Sequence, residues 1–512
     1  MRNFRRRGLF AASATALIMA AAAVSPVAAA PDPLAQAAAV KPDAVQRHLR
    51  ALQKIAEAHG GTRASGTPGY AASRDYVVRQ LRQAGYKPTV QEFQFPFFSE
   101  NSLAAFAQLT PDAVTYEPTP LDGSSLGDFF TMEYSGSGDV TGTVRPVDVQ
   151  IPPGAEPNSS TSGCEASDFA GFPAGAVALV QRGTCTFYDK AVNAQAAGAA
   201  AVILFNEGQP GRAEVLTGTL GAPDVTIPVI GTSHAIGVDL ADPAGTTVRV
   251  RTDTTSDTRT TWNVLAETKK GSRDDIVMSG AHLDSVPVGA GINDNGSGSA
   301  ALLELALKSN KLKLKNKLRF AWWGAEENNL LGSTHYVGAL SEAESARIAM
   351  YLNYDMIGSP NHVYFIYDGD DSDATGAPAG PEGSAQIEKV LEKYFDRRGL
   401  PHKGTDFDGR SDYGPFIATG IPSGGLFTGA EGIKTAEEAA LFGGTAGQAY
   451  DPCYHAPCDG TANINPTALK HNLAAMAFTA YTFGSAAELP GTRARKGARS
   501  FAAPADQHRP AR

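Results

Sequence analysis

The spacing of apolar residues changes twice along the chain, and each change marks a different kind of structure. In the opening portion, apolar residues recur every three to four positions over 49–56 and again over 76–81, after the turn sequence GTPGY. This spacing predicts two amphipathic helices. Apolar residues then nearly alternate over 90–95, which predicts a strand.

The stretch from about 102 to 253 differs in composition and in the pattern of its apolar residues. It is rich in Gly, Pro, Thr and Val, contains few lysines, and is broken into short β-like runs. Within 178–206 the pattern predicts a strand, a helix that begins near Phe187, and a buried strand over 201–205. We therefore expect a β-rich insert with some helix.

From Trp262 onward, apolar strands alternate with helical runs. The predicted strands are 276–279, 318–323 and 349–353, and the longer helical runs are 300–308 and 382–397. Such alternation is typical of a mostly parallel sheet with helices on both faces. The predicted class is thus α/β: a mostly parallel mixed sheet flanked by helices, with an inserted β-rich α+β domain.

A chain of 512 residues is too long for one ordinary domain. We expect the helical opening and the α/β region to form one domain that the insert interrupts. The predicted organisation is a signal peptide at 1–30, the first part of the main domain at 31–101, the insert at 102–253, the second part of the main domain at 254–487, and a disordered basic tail at 488–512.

The N-terminus predicts export. Four arginines between positions 2 and 7 precede an Ala-rich apolar run and the small residues 27–30, a pattern typical of a cleaved signal peptide. Arg6 and Arg7 also resemble a twin-arginine signal, and the choice between the two export routes stays open. No later run is apolar and long enough to span a bilayer, so we predict a secreted, extracellular protein.

The net charge argues against two classes of partner. The total of −9 includes the four leader arginines and a net +5 in residues 491–512, so residues 31–490 carry about −18. An acidic body of this kind disfavours binding to nucleic acid or to an anionic membrane surface.

The four cysteines fall into two local pairs, Cys164 with Cys185 and Cys453 with Cys458. Export places them in an oxidising compartment, so two disulfides are the natural assignment. A zinc–thiolate site is the alternative, but no second pair of C-x-x-C type accompanies either one.

Six residues in short, distinctive frames carry the candidate chemistry. The frames are GAHLDSV, GINDNGSG, WGAEENNLLGS, NYDMIGS and DPCYHAPCD, and the residues are His282, Asp294, Glu326, Glu327, Asp355 and His455. Imidazole and carboxylate groups are zinc ligands, and two closely spaced ions need a bridging group. Five of the six groups could hold two ions, while the sixth, one of the adjacent glutamates, could act as a base.

Within this set we assign roles from the residue types. Asp294 lies in a Gly-rich turn and is the best bridging candidate. Glu326, next to the ligand Glu327, can accept a proton from water and pass it to a leaving amine. Asp284, two residues after His282, can accept a hydrogen bond from the imidazole and fix its tautomer. His335 is expected not to be a ligand.

These frames resemble the bridged di-zinc, leucyl-type secreted bacterial aminopeptidases of metallopeptidase family twenty-eight, over about residues 44–483, including GTRASGTPGY near the start. Residues 178–206 resemble the protease-associated domain. The resemblance implies a zinc exopeptidase-like fold and a cis peptide bond between Asp294 and Asn295. It assigns the residues as follows: His282 and Asp355 to one zinc, Glu327 and His455 to the other, Asp294 as the bridge, and Glu326 as the general base.

The same resemblance implies roles for three further positions. Tyr454, beside His455, would donate a hydrogen bond to the oxyanion. The backbone of Arg410 in GRSDYGPF would join Glu326 and Asp355 in binding the free amino group of the substrate. Phe427 would line the pocket for the first side chain, although a buried core aromatic is the alternative. Some relatives bind calcium, so calcium is a further candidate cofactor, but its ligands are not assigned to particular residues here.

The leading hypothesis is an exopeptidase that removes N-terminal residues, particularly large apolar ones, from peptides. It would act as a monomer with two zinc ions, although cobalt or manganese could use the same ligands. A di-zinc carboxypeptidase is one alternative, and it would need a basic cluster near the metal frames. A non-catalytic peptide-binding relative is another. The chain contains no H-E-x-x-H motif, which disfavours single-zinc protease chemistry of that type.

Overall fold

The computed structural model describes Met1 and residues 32–121 and 125–490. The predicted signal peptide, apart from Met1, and residues 491–512 of the predicted tail lie outside the described residues. The helices are α1 Pro33–Ala37, α2 Pro42–Ala58, α3 Pro68–Gln83, α4 Phe187–Ala196, α5 His234–Ala241, α6 Gly298–Ser309, α7 Leu331–Gly338, α8 Glu342–Ser345, α9 Ser384–Arg397, α10 Tyr413–Ala418, α11 Ala436–Phe442 and α12 Pro466–Ser485. The strands are β1 Thr89–Thr110, β2 Val114–Tyr116, β3 Phe129–Thr131, β4 Gly138–Pro146, β5 Val177–Gln181, β6 Ala201–Phe205, β7 Val229–Thr232, β8 Thr247–Glu267, β9 Ser272–His282, β10 Asn316–Trp323, β11 Ile348–Tyr354, β12 Phe365–Tyr367, β13 Lys403–Thr405 and β14 Ser423–Phe427.

The main domain is built on a mixed sheet with the strand order β13-β12-β14-β11-β9-β10-β8. Its centre, from β14 through β11 and β9 to β10, is parallel, and β8 and β12 pair with it in the antiparallel sense. The sequence prediction of a mostly parallel sheet is therefore confirmed.

Helices cover both faces of this sheet because its central strands are apolar on both sides. Val277 belongs to a core shared with α2, α3, α6, α9 and α12. Its neighbours Ile276 and Met278 belong to a second core on the other face, shared with α7 and α10. Two-sided burial explains why these strands appear as continuous apolar runs in the sequence.

The opening helices follow the predicted spacing with one difference. In α2 the residues Leu49, Leu52 and Ala56 are buried on one face. The turn sequence GTPGY, however, already contains the start of α3. Thr67 caps the helix by accepting a hydrogen bond from the Tyr70 amide, and a proline is tolerated in the first helical turn.

The insert has its own layer of strands and its own cores. Strands β5, β6 and β7 are parallel, β4 pairs with β5, and β3 pairs with β7. Helix α4 begins at Phe187, as predicted, behind a capping box formed by Thr186 and Asp189. The predicted disulfides Cys164–Cys185 and Cys453–Cys458 are both present.

A long antiparallel ribbon joins the insert to the main domain. Strand β1 pairs with β8 from Thr89 to Thr110, while β8 also pairs with β10 at one end and with β4 at the other. The predicted boundaries near 101 and 253 therefore fall inside continuous strands. Among the described residues, no helix is long and apolar enough to cross a membrane.

Candidate metal centre

Four of the six predicted residues lie where central strands end. His282 is the last residue of β9, Asp355 follows β11 directly, and Glu326 and Glu327 follow β10 after a short turn. These three strands are parallel neighbours, with β9 between the other two. Their carboxyl ends therefore bring the side chains to one edge of the sheet, where ligands bind in open α/β folds.

The other two residues come from loops. Asp294 lies in the irregular turn Ile292–Ser297 just before α6, and its peptide bond to Asn295 is cis, as predicted. His455 lies inside the loop closed by the Cys453–Cys458 disulfide. Both loops reach the edge where the strand residues gather.

Asp294 lies between the two histidines. Its Oδ1 is 3.2 Å from Nε2 of His282, and its Oδ2 is 3.2 Å from Nε2 of His455. One carboxylate thus presents a separate oxygen to each imidazole. A bridging carboxylate between two cations needs this arrangement.

The remaining carboxylates divide between the two histidines. Asp355 Oδ1 is 3.1 Å and Glu326 Oε2 is 3.6 Å from Nε2 of His282. On the other side, Glu327 Oε2 is 3.1 Å from Nε2 of His455. The structure therefore brings all six predicted residues together in two overlapping groups.

The cluster concentrates negative charge away from water. Burial raises the pKa of Glu326 well above its ordinary value and raises that of Glu327 to about 7, and the Asp294 carboxylate adds to the effect on Glu327. Burial alone would lower the pKa of His455, but its contacts with Asp294 and Glu327 raise it to about 10. The cluster contains more carboxylates than imidazoles, so bound cations would relieve the repulsion between the carboxylates.

The donor set suits zinc. It combines imidazole nitrogens with carboxylate oxygens, and two groups of three residues place one donor atom each within 4.8 Å of one another. In addition, Glu327 Oε1 is buried without a hydrogen-bond partner within the described part of the chain. A buried carboxylate oxygen left in this state is costly unless a cation completes its shell.

Asp284 lies against the other side of the His282 ring. The ring Nδ1 is 3.2 Å from the Asp284 carbonyl oxygen and 3.6 Å from its carboxylate Oδ1. Both partners are acceptors, so they favour the tautomer that carries its proton on Nδ1. The Nε2 lone pair is then free to face the cluster.

Tyr454 and Arg410 form the rim of the site. The Tyr454 ring stacks on His455 with 3.8 Å between centroids, and its hydroxyl accepts a hydrogen bond from Arg410 Nη2 at 3.2 Å. The Arg410 guanidinium is also paired with Glu431 at 2.8 Å, and the Arg410 amide donates to Asp408. This leaves the Arg410 carbonyl as the backbone group that could accept from a substrate.

A cavity opens beside the cluster. It is lined by His282, Asp294, Glu326, Glu327, Asp355, Met356, Tyr367, Thr405, Asp406, Asp408, Arg410, Ser411, Phe427, Ala430 and Tyr454. Phe427, predicted as a pocket residue, is half-buried in this wall. Arg410 is the one Lys or Arg among these lining residues, and its pairing with Glu431 means that no free basic cluster lines the described cavity.

His335 is placed away from the site, where it is exposed and stacks on Phe93 with 4.8 Å between centroids. A separate carboxylate group, Asp368, Asp370 and Glu388, lies near the end of β12.

Sequence reasoning missed several residues that hold the site in place. Arg63 is fully buried and donates to the backbone carbonyls of Leu283, Ala290 and Gly291, next to His282 and Asp294. Ser411 Oγ donates to Asp355 Oδ2 at 2.6 Å. Both residues lie in the frames GTRASGTPGY and GRSDYGPF, so the signal was present, but a supporting role needs a partner that only the fold supplies.

A buried carboxylate behind the cluster was also missed. Asp412 is 0% exposed, and its carboxylate lies beside the Ser333 side chain. Burial raises its pKa to about 8, and the nearby charges of Asp355 and Asp284 add to the increase. It adds to the negative charge that a cation at this edge would offset.

Comparison with known proteins places this geometry in a family context. The model of Peptidase family M28 matches residues 263–480, and that of the PA domain matches residues 140–240. An aminopeptidase of Pseudomonas aeruginosa is 50% identical over 436 residues, which cover 85% of this chain and 79% of the relative. Leucine aminopeptidase 2 of Arthroderma otae is 39% identical over 459 residues, covering 88% and 86% of the two chains. Among solved structures, the aminopeptidase from Aneurinibacillus sp. strain AM-1 has a TM-score of 0.62 and 26% identity, covering 90% of this chain and 97% of that one.

Proposed function

The chain belongs to peptidase family M28 and carries an inserted PA domain, and on that premise we propose that it is a zinc-dependent aminopeptidase that uses two bridged metal ions. The observation that carries the proposal is the position of Asp294, whose two oxygens each lie 3.2 Å from a different histidine. A single-metal site would have no need for a carboxylate divided in this way.

In the proposed assignment, His282 and Asp355 would hold one ion, and Glu327 and His455 would hold the other. Asp294 would be shared between the two ions. When bound, such ions supply Lewis acidity that polarises the substrate carbonyl and lowers the pKa of water.

Glu326 is the proposed general base. It lies 3.6 Å from the His282 ring and is buried, next to Glu327 but outside the proposed ligand pairs. From this position its carboxylate can accept a proton from the attacking water. It can then return that proton to the nitrogen of the leaving amine.

Tyr454 is the proposed donor to the carbonyl oxygen of the substrate. Its hydroxyl accepts from Arg410 at 3.2 Å, so its own proton is available to donate toward the cavity. Burial raises the pKa of Tyr454 far above its usual value, which keeps the hydroxyl protonated. A donor held in this way stabilises the negative charge that develops on the oxygen during the reaction.

Carboxylates around the cavity favour a substrate with a free amino terminus. Glu326, Asp355 and the Arg410 carbonyl are the proposed partners of that ammonium group, whose positive charge an internal peptide bond lacks. Arg410 itself is occupied by Glu431, so the carboxypeptidase alternative gains no support. We propose peptides and protein N-termini as substrates.

The first side chain of the substrate would enter the apolar part of the cavity. Met356, Tyr367 and Phe427 line this part, which suits a large apolar residue such as leucine. The relative named leucine aminopeptidase 2 agrees with this choice. The two disulfides fit an oxidising compartment, so we propose that the enzyme is secreted, and we propose that it acts as a monomer.

Hydrolysis of Leu-p-nitroanilide, compared with its N-acetylated form, tests this function. We expect zinc-loaded protein to cleave the free-amine substrate alone, and chelation followed by zinc addition to abolish and restore cleavage. The variant Glu326→Gln should keep its zinc and lose on the order of 10²–10⁴-fold in kcat. Equal cleavage of the acetylated substrate, or full activity in the variant, would contradict the proposal.

A further inference from the structure

The Arg410 side chain joins two other chain segments at the rim of the cavity. Its guanidinium makes a forked contact with the Glu431 carboxylate, with Nη1 donating to Oε1 at 2.8 Å and Nη2 donating to Oε2 at 3.2 Å. The same Nη2 also donates to the Tyr454 hydroxyl at 3.2 Å. One cation therefore contacts both an exposed carboxylate and the hydroxyl that is the proposed donor to the substrate carbonyl oxygen.

The segment that carries Glu431 is fixed relative to the loop that carries Tyr454. The carbonyl of Ala430 accepts a hydrogen bond from the Asp451 amide at 2.8 Å, and the carbonyl of Asp451 accepts one from the Tyr454 amide at 3.2 Å. The Cys453–Cys458 disulfide closes the loop immediately beyond. Glu431 is thus held at a set distance from the tyrosine.

The backbone of Arg410 is also anchored. Its amide donates to the Asp408 carboxylate at 3.0 Å, and the hydroxyl of the next residue, Ser411, donates to Asp355 at 2.6 Å. With its backbone fixed at one end and its guanidinium held by Glu431 at the other, the side chain has little freedom to turn away from Tyr454.

The direction of these hydrogen bonds determines where the Tyr454 proton can point. A guanidinium has donors and no acceptor, so the tyrosine oxygen must accept from Arg410 and its own proton is directed elsewhere. A hydroxyl that accepts from a charged donor is polarised and becomes a stronger donor itself. The ring of Tyr454 is held by stacking on His455, with 3.8 Å between centroids. Arg410 therefore fixes the one part of the side chain that stacking does not.

Stability alone gives little reason for this ion pair. The side chains of Arg410 and Glu431 are 54% and 56% exposed. Exposed ion pairs contribute little to the free energy of unfolding because solvent screens them and their side chains lose entropy. Any larger effect of this pair must therefore act through the hydroxyl that it contacts.

We propose that Arg410 and Glu431 are positioning residues that act through Tyr454: Glu431 holds the guanidinium, and the guanidinium orients the hydroxyl and strengthens it as a donor. This role of the Arg410 side chain is separate from the one proposed for its carbonyl. The proposal rests on the aminopeptidase function proposed above and deepens the part that Tyr454 plays in it.

The test is a set of double-mutant cycles with Tyr454→Phe. We would measure kcat and KM for Leu-p-nitroanilide, together with zinc content, for Glu431→Gln, Arg410→Gln and Arg410→Lys. Each substitution would be made in the wild type and in Tyr454→Phe. Arg249→Gln is the matched control, because Arg249 makes a similar forked pair with Asp139 on exposed strands of the insert, at 2.8 and 2.6 Å.

In the wild type, we expect Glu431→Gln to lower kcat about three-fold, the size of effect that an exposed ion pair allows. Arg410→Gln should lower kcat about ten-fold with little change in KM, because the donor that it orients acts mainly in the transition state. Arg410→Lys should lose less, since an ammonium group can still donate to the hydroxyl. In Tyr454→Phe, none of the three should lower kcat by more than about two-fold, and the control should keep full kcat.

Equal losses in the two backgrounds, at full zinc content, would show that the pair acts independently of the hydroxyl and would overturn this proposal alone. Unchanged kcat for both Glu431→Gln and Arg410→Gln in the wild type would do the same. Failure of the zinc-loaded wild type to hydrolyse the substrate would instead overturn the aminopeptidase function and, with it, this inference.

Discussion

The turn that carries Asp294 is held by groups from two distant segments. The Asp459 carboxylate accepts hydrogen bonds from the amides of Asn293 and Asp294 at 2.8 and 2.9 Å. Arg63 donates to the carbonyl of Gly291 from the other side. Supporting contacts of this kind limit a side chain to one orientation, which would matter most for a carboxylate shared by two ions, the role proposed for Asp294.

The hydroxyl of Tyr454 provides a direct test at this scale. Replacement of Tyr454 by Phe keeps the ring that stacks on His455 but removes the donor. We expect kcat for Leu-p-nitroanilide to fall about 10²-fold with little change in KM, because the lost interaction forms mainly in the transition state. Steady-state kinetics with a parallel zinc assay measure this, and an unchanged kcat at full zinc content would exclude the role.

The buried carboxyl group of Glu388 should make the free energy of unfolding depend on pH. This residue of α9 is 5% exposed, and burial, helped by the charges of Asp368 and Asp370, raises its pKa from 4.5 to about 7. Its contribution to the free energy of unfolding is therefore fully present below pH 4.5 and is lost as the pH rises through about 7.

The variant Glu388→Gln stays neutral, and the amide can still accept from the Gly369 amide. Relative to the wild type, its free energy of unfolding should increase between pH 4.5 and pH 8, by on the order of 2 kcal/mol. Denaturant unfolding at several pH values measures the difference, with Glu392→Gln on the next turn of α9 as the control. A difference that does not change with pH would refute the assignment.

The candidate ligands could be predicted from the sequence because each lies in a short frame with a recognisable residue type. The residues that hold these ligands in position could not be predicted in the same way. Asp459 was visible as the end of DPCYHAPCD, but its hydrogen bonds run to residues about 165 positions earlier. Gly291 shows the same limit. Its φ is 58°, and a Cβ at this position would collide with the Asp294 carbonyl oxygen. Both facts explain why a glycine is needed here, but neither can be known before the turn is folded.

The loop closed by the Cys453–Cys458 disulfide carries two of the candidate site residues. It spans five positions and holds both Tyr454 and His455. We expect the double variant Cys453→Ser/Cys458→Ser to bind zinc about 10-fold more weakly, because a loosened loop no longer orients its histidine. Zinc retained during titration with a chelator measures this.

The other disulfide supplies the control. Cys164–Cys185 lies in the insert, so Cys164→Ser/Cys185→Ser should lower the free energy of unfolding by about 3 kcal/mol and leave zinc affinity as in the wild type. Equal zinc retention in both double variants would show that the Cys453–Cys458 loop does not need its crosslink to present His455.

Element prediction succeeded where burial imposes a pattern and failed where it does not. Strand β6 is buried along its whole length, and α4 follows a capping box, so both were visible in the sequence. The centre of β8, with the sequence TTSDTRTT, is half-exposed over much of its length and shows no apolar alternation. The ribbon that carries the chain between the two parts was therefore not predicted, and the boundaries near 101 and 253 remain a prediction.

In the molecule as a whole, the insert reaches the segment that follows the metal-site glutamates. The Tyr134 hydroxyl of the insert faces the side chain of Asn328, which comes directly after Glu327, and the Tyr134 ring packs on Phe98 of the ribbon. The insert is thus in contact with a chain segment of the site, while its cores remain separate from those of the main domain.

The number of zinc ions that each chain binds decides whether Asp294 is shared between two metal ions. Metal-free protein would be titrated with zinc, freed of unbound metal, and analysed by plasma mass spectrometry alongside activity on Leu-p-nitroanilide, with Asp294→Ala for comparison. We expect two zinc ions per chain, activity that returns as they bind, and loss of high-affinity zinc in the variant, since Asp294 faces both histidines. Full activity with one zinc per chain, or two tightly bound ions in Asp294→Ala, would contradict this expectation.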